Sequence, residues 1–327
     1  MKNNNKEGSY VAAIGTAVAQ YRYPQQVIAD FMIRYFKLNE EASRKTNLVY
    51  HKSGIKFRHS VLADFSMNGN APELFATDSS SPLLSKRLNV YDQNALKLSV
   101  AAVADCLNEF ESSYNKSKPP AVSHLITVSC TGMAAPGLDI QLMKALNLPG
   151  DTERTSINFI GCYASFHALK IADAICLSNE NAVVLIVAVE ICSIHFQPAI
   201  DNENLVVNSL FADGAAAAIV ISEKIKKKFK GAALQINGFY GEVLHAGESL
   251  MSWKPNENGF LMGLDPSVPQ LIEDESSKMI NRALKKFRIK KSEITNWALH
   301  PGGRKILEAA QKSIQINEDD LKHSYNV

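Results

Sequence analysis

Ser156 to Leu177 reads SINFIGCYASFHALKIADAICL, and this stretch decides the fold. Its first five residues form a continuous apolar run bounded by glycine, the pattern of a strand covered on both faces within a parallel sheet. After Gly161-Cys162, the residues Phe166, Leu169, Ala172, Ile175 and Leu177 recur at helical spacing and trace one face of a helix. Strand, tight turn and helix in that order make the α/β unit. Further runs of the strand type lie at His124 to Cys130 (HLITVSC), Ala182 to Cys192 (AVVLIVAVEIC), Ala215 to Ser222 (AAAAIVIS) and Trp297 to His300. Leu271, Ile272, Ile280, Leu284 and Phe287, behind Pro269, mark another helix, and Arg304 to Gln311 a further one after Pro-Gly-Gly.

The chain has 327 residues, enough for one large domain or two closely packed ones. Hydrophobic residues are 46%, which supplies an ample core and excludes disorder as a description of the whole. With 35 basic and 33 acidic side chains the net charge is +2, which gives no reason to propose a nucleic-acid partner. The densest basic run, Lys224 to Lys230 (KIKKKFK), reads as a solvated boundary between two halves, and Lys285 to Lys291 as a solvated helix end. The five cysteines, Cys106, Cys130, Cys162, Cys176 and Cys192, are odd in number and contain no C-x-x-C pair. Neither a disulfide framework nor a zinc site is favoured, and a reducing compartment is expected. No run reaches the length of a membrane span and no signal peptide is read, so the expected location is cytoplasmic.

Two positions carry chemistry. Cys162 follows a buried strand and precedes a helix, so its sulfur is expected near the first N–H groups of that helix, which favour an anion and lower a thiol pKa. Gly161 permits the sharp turn. Cys106 and Cys176 lie inside helical stretches and read as core packing. His300 ends an apolar run before Pro301-Gly302-Gly303, and ligands in open α/β sheets gather at the carboxyl ends of strands. A cysteine paired with a histidine gives an activated nucleophile plus a donor for a developing oxyanion.

Four segments carry a resemblance to a known family: VSCTGMAAPGLDIQL (Val128 to Leu142), INFIGCYASFHALKIA (Ile157 to Ala172), NSLFADGAAAAIV (Asn208 to Val220) and NWALHPGGRKIL (Asn296 to Leu307). In order and spacing they resemble the type III polyketide synthases, the chalcone synthase-like branch of the thiolase superfamily. The resemblance runs from about Tyr10 to the last residue. It implies an α/β fold of αβαβα layers with two related halves. Residues 1–224 are the half carrying the nucleophile, and 225–327 are the half carrying the histidine, read as truncated.

The resemblance implies that Cys162 takes an acyl group from a starter acyl-CoA and that His300 helps to decarboxylate malonyl-CoA and holds the enolate oxygen. No metal or redox cofactor is implied. Phe211 and Phe260 match two aromatic gatekeepers, and Lys45 and Lys52 match cations used against CoA phosphates. Leu48 stands where an arginine is expected. Cys130, Cys192 and His195 match cavity-lining positions that are often small hydroxyl residues in plant members. The loop Met133 to Gly137 matches a segment that crosses to a partner subunit, which implies a homodimer. The family's third catalytic residue, an asparagine about thirty residues after the histidine, has no counterpart before Val327, and Asn326 falls too early. Alternatives are a carrier-protein-dependent ketoacyl synthase that condenses once, a catalytically weak partner subunit or scaffold, and, on the Cys/His pair alone, a cysteine hydrolase.

Overall fold

A computed structural model describes residues 8–66, 72–75, 81–114, 118–197 and 201–326. The first half runs β1 (Ser9–Val18), β2 (Tyr21–Pro24), α1 (Gln25–Tyr35), α2 (Glu40–Lys52), β3 (Phe57–Ser60), α3 (Leu84–Ser112), β4 (His124–Ser129), α4 (Leu138–Ala145) and β5 (Glu153–Asn158). It continues with α5 (Ala164–Ser178), β6 (Val183–Ile191), α6 (Asn202–Leu210) and β7 (Asp213–Ser222). There follow α7 (Glu223–Lys226), β8 (Leu234–Ile236), β9 (Met251–Asn256), β10 (Gly259–Leu264), α8 (Val268–Phe287), α9 (Arg304–Ile314) and α10 (Lys322–Tyr325).

Six strands form one mixed sheet in the order β5-β4-β6-β7-β1-β8. β4 runs parallel to both β5 and β6, whereas β6–β7, β7–β1 and β1–β8 are antiparallel. The sheet is thus not wholly parallel, although β6 reads as the continuous Val/Ile/Leu run that burial on both faces requires. β5 departs from expectation: its burial pattern is exposed at every position except Ile157, because it is the edge of the sheet. Phe159 and Ile160 lie beyond it, in the turn toward α5.

A helix covers each face. α3 buries Leu98, Ala102, Val103, Cys106 and Phe110 against β1, β6 and β7. The approach is close enough that a Cβ on Gly15 of β1 would lie 2.1 Å from the Cys106 amide nitrogen. On the other face α5 buries Ala164, Ala168, Ala172 and Cys176, one residue per turn. Of the face read from sequence, Ala172 is buried and Leu169 and Ile175 pack partly buried against the same cluster, whereas Phe166 and Leu177 are exposed, at 55% and 43%. The small residues win the buried side because they let the helix axis sit close to Ile126, Val128, Ile157, Val184, Ile186 and Val220. Cys106 and Cys176 are core residues, and burial pushes both thiols up to about 12.

In the second half, β8 joins the edge of the large sheet beside β1, and β9 and β10 form a separate hairpin, with Trp253 opposite Met262 and Phe260 opposite Pro255. Trp297 to His300, read from sequence as a strand, joins no ladder; the Leu299 amide donates to the Ser324 hydroxyl at 3.0 Å. α8 and α9 pack on each other, with the Ser277 amide donating to the Ser313 hydroxyl. Among the described residues no helix is long and apolar enough to cross a membrane.

Candidate active site

The carboxyl ends of β4 and β6 lie side by side, and this adjacency assembles the wall of the site. Glu190, the one charged residue in the apolar β6 run, accepts the Cys130 amide at 2.8 and 3.0 Å and the Thr131 hydroxyl at 2.6 Å. The Thr131 oxygen in turn accepts the Ile191 amide. Burial pushes the Glu190 carboxyl up to about 7, against the pull of the hydrogen bonds from Thr131 and Cys130.

Cys162 reaches this wall through Gly161, whose amide donates to the Cys130 sulfur at 3.3 Å and whose φ of +105° suits glycine. The Cys162 residue is exposed, yet lost hydration raises its thiol pKa, with Glu190 and Cys130 adding to the rise; only its own amide opposes them. The thiol lowering expected from the helix mouth is therefore not found. The first-turn amides of Ala164 and Phe166 donate to the carbonyls of Gly161 and Tyr163 rather than to the thiol. Cys192 lies near enough to Cys162, Cys130 and Glu190 for all three to raise its thiol, behind burial as the main cause.

His195 joins the wall to the hairpin. Its Nε2 lies 2.7 Å from the Thr131 carbonyl and its Nδ1 accepts the Phe260 amide at 3.1 Å. A carbonyl demands a donor and an amide demands an acceptor, so these partners fix the neutral tautomer with the proton on Nε2. Burial pushes its pKa down to about 4. The Phe260 ring stacks on the imidazole at 4.3 Å, and Trp253 meets both rings edge-on. The Trp253 indole N–H donates to the Cys130 carbonyl at 2.8 Å. Sequence reasoning missed Glu190 and Trp253, although a lone carboxylate ending an apolar strand is itself a visible signal.

The remaining positions form a second group. Phe211 caps the C-terminus of α6, and its carbonyl, with that of Asn208, accepts the buried Arg58 guanidinium. Asp213, two residues on, is buried and accepts from the Ser193 amide and hydroxyl and the Val61 amide. The loop after His300 packs here: a Cβ on Gly303 would meet the Leu210 side chain at 3.3 Å. The Arg304 side chain lies against Gly54, just beyond Lys52. His300 is exposed, and partial loss of hydration lowers its pKa. Lys45 and Lys52 are exposed on α2. The structure thus brings Cys130, Cys162, Cys192, His195 and Phe260 together, and packs the loop that follows His300 against the Phe211 and Lys52 elements at Gly303 and Arg304. Among the described residues no hydrogen bond joins the Cys162 thiol to the His300 imidazole, and no group of three or more His, Cys, Asp or Glu is arranged to hold a metal ion.

Comparison with known proteins gives these positions a context. Residues 1–224 match the family model for the N-terminal domain of chalcone and stilbene synthases, and residues 236–327 the model for the C-terminal domain. A putative chalcone synthase from Bacillus subtilis is 26% identical over 323 residues, covering 98% of this chain and 85% of that protein. Probable polyketide synthase 1 of Dictyostelium discoideum is 26% identical over 333 residues, but the chain spans only 10% of that protein's length. Among solved structures, PKS-I of the brown alga Ectocarpus siliculosus superposes with a TM-score of 0.91 at 25% identity, covering 99% of this chain and 85% of the other. The C-terminal type III polyketide synthase domain of Steely1, from Dictyostelium, superposes with a TM-score of 0.86 at 24% identity over 98% of this chain and 86% of the other, a likeness of fold. With both halves matched and the thiolase-like α/β fold in place, the chain belongs to the chalcone and stilbene synthase family of type III polyketide synthases.

Proposed function

We propose that the chain condenses malonyl-CoA onto an acyl-CoA starter by decarboxylative Claisen chemistry, with Cys162 as nucleophile and His300 as enolate donor, and then cyclises the product. The observation that carries this reading is Cys162 at a strand-to-helix turn beside a wall of paired polar groups, inside the matched family segments. The Cys162 sulfur attacks the starter thioester, its proton passes to the His300 imidazole, and free CoA leaves. Malonyl-CoA then loses carbon dioxide, and the developing enolate oxygen takes a hydrogen bond from His300. The carbanion attacks the Cys162 thioester, so a C–C bond forms, the C–S bond breaks and the thiol is regenerated. The lowered His300 pKa supports this role, since a neutral imidazole can accept the thiol proton.

Phe211 and Phe260 act as the gate between CoA tunnel and cavity, and Lys45 and Lys52 meet the CoA phosphates. Cys130 and Cys192 line the cavity, whereas His195 serves it from behind, because both of its ring nitrogens are already engaged. The exposed β5 edge and the loop Met133 to Gly137 form a homodimer face. The test incubates the protein with a panel of acyl-CoA starters and labelled malonyl-CoA. Cyclised polyketides are expected, and a product mass from more than one extension separates this activity from a single-round ketosynthase. Polyketide that persists in Cys162→Ala defeats the assignment.

A further inference from the structure

Among the described residues five non-glycine residues adopt a left-handed backbone: Lys37, Asn147, Phe159, Arg288 and Gln315. Four of them follow helix ends, of α1, α4, α8 and α9, where such a residue commonly closes the last turn. Phe159 is different. It follows a strand, β5, three residues before Cys162, and its φ is +57°. An aromatic residue is costly there, and glycine or asparagine adopts the same backbone more cheaply. Such strain persists only where the surroundings hold it in place, and it gathers at functional sites.

The ring shows what holds it. Partly buried, it meets the face of Phe260 edge-on, with centroids 5.0 Å apart and planes at 75°. Phe260 is itself 2% exposed, stacked on His195 and tied to it through its amide. His195 closes the line on the Thr131 carbonyl. The left-handed twist turns the Phe159 side chain toward the hairpin, and Ile160 and Gly161 then deliver Cys162 to the mouth of α5. The Gly161 amide is pinned to the Cys130 sulfur, so the segment from Phe159 to Cys162 is held by a ring contact at one end and a hydrogen bond near the other.

We infer that Phe159 is a positioning residue: its ring, wedged against Phe260, couples the β9–β10 hairpin to the turn that presents Cys162. This rests on reading Cys162 as the nucleophile, but its test requires no acyl-CoA. The full chain is treated with iodoacetamide, which forms an S–C bond, releases iodide and gives the thiol proton to the buffer. Labelling of each cysteine peptide is followed by mass spectrometry. With the ring removed, the thiol leaves its poorly hydrated seat beside Glu190 and Cys130, and its thiolate fraction rises.

In Phe159→Gly, Cys162 should label at least about fivefold faster than in the wild type, while Cys176, buried on the same helix, stays unlabelled. Phe159→Asn, which keeps the backbone and lacks the ring, should match it, and Phe159→Tyr should restore a rate within about twofold of wild type. Phe260→Ala should accelerate Cys162 labelling in the wild type and add nothing in the Phe159→Gly background, the non-additivity of a shared contact. Wild-type rates in both Phe159→Gly and Phe159→Asn, additive effects with Phe260→Ala, or Cys176 labelling in step with Cys162 would overturn the inference. Absence of polyketide product alongside the expected labelling would instead strike the proposed function alone.

Discussion

The wall behind Cys162 and the loop bearing His300 are built by opposite rules. In the wall, Glu190, Thr131, Cys130, His195 and Trp253 use their polar atoms on one another and on the hairpin. On the other side, the His300 ring has no hydrogen bond among the described residues, and Lys45 and Lys52 on α2 form no ion pair among them. The difference follows from burial. A buried donor left unpaired costs about 1–3 kcal/mol, so the wall must satisfy itself within the protein. Exposed groups pay nothing for waiting, and they remain free for a ligand.

That contrast breaks most visibly at His300. In His300→Ala, release of labelled carbon dioxide from malonyl-CoA should fall by a factor on the order of 10² to 10³, the loss typical of removing one oxyanion donor. The thermal midpoint should stay at the wild-type value, because no folded-state hydrogen bond to the ring is lost. A midpoint that drops together with activity would place His300 with the structural wall.

The wall carries a pH signature of its own. Glu190 is raised from an ordinary 4.5 to about 7, so the folded protein holds a proton that the unfolded chain releases. Its stabilising contribution is complete below about pH 4.5 and is lost as pH climbs to 7. His195 is lowered from 6.5 to about 4, so its contribution is complete above 6.5 and is lost as pH falls to 4. Between pH 4.5 and 6.5 the two slopes oppose each other and nearly cancel. Glu190→Gln removes one of them. Relative to wild type, its unfolding free energy should gain about 3 kcal/mol from pH 4.5 to 6.5, measured by urea titration at each pH. Parallel profiles for variant and wild type would show that Glu190 does not hold its proton in the fold.

Much of this contrast can be read in the sequence, but unevenly. The turn at Gly161-Cys162 and the runs that became β4, β6 and β7 are legible because apolar periodicity and a glycine speak through local physics. Trp297 to His300 shows the same apolar character without becoming a strand, since a strand needs a neighbour and its Leu299 amide goes to Ser324 instead. On α5 the apolar spacing marks the side of Leu169, Ala172 and Ile175, which pack on the sheet, but it also takes in Phe166 and Leu177, which are exposed. Close approach to the sheet favours the Ala164, Ala168, Ala172 and Cys176 stripe. Glu190, Trp253 and Phe159 gain their meaning from partners 60 to 123 residues away or from a single backbone angle, none of which a local pattern encodes.

The exposed side of the contrast can also be sharpened by gain of function, with the smallest effect of the three. Leu48 is 52% exposed on α2, three residues after Lys45 and four before Lys52, so it shares a helix face with both. If this face meets the CoA phosphates, a guanidinium at its centre adds one more charge-assisted contact in water, worth about 0.5–1 kcal/mol. Leu48→Arg should then lower KM for the CoA esters about two- to fivefold with kcat unchanged. The gain should fade as salt rises, because exposed charges are screened within a Debye length of about 8 Å at physiological ionic strength. A KM that stays at the wild-type value in low salt would move the phosphate contacts off α2, leaving Lys45 and Lys52 as ordinary solvated cations.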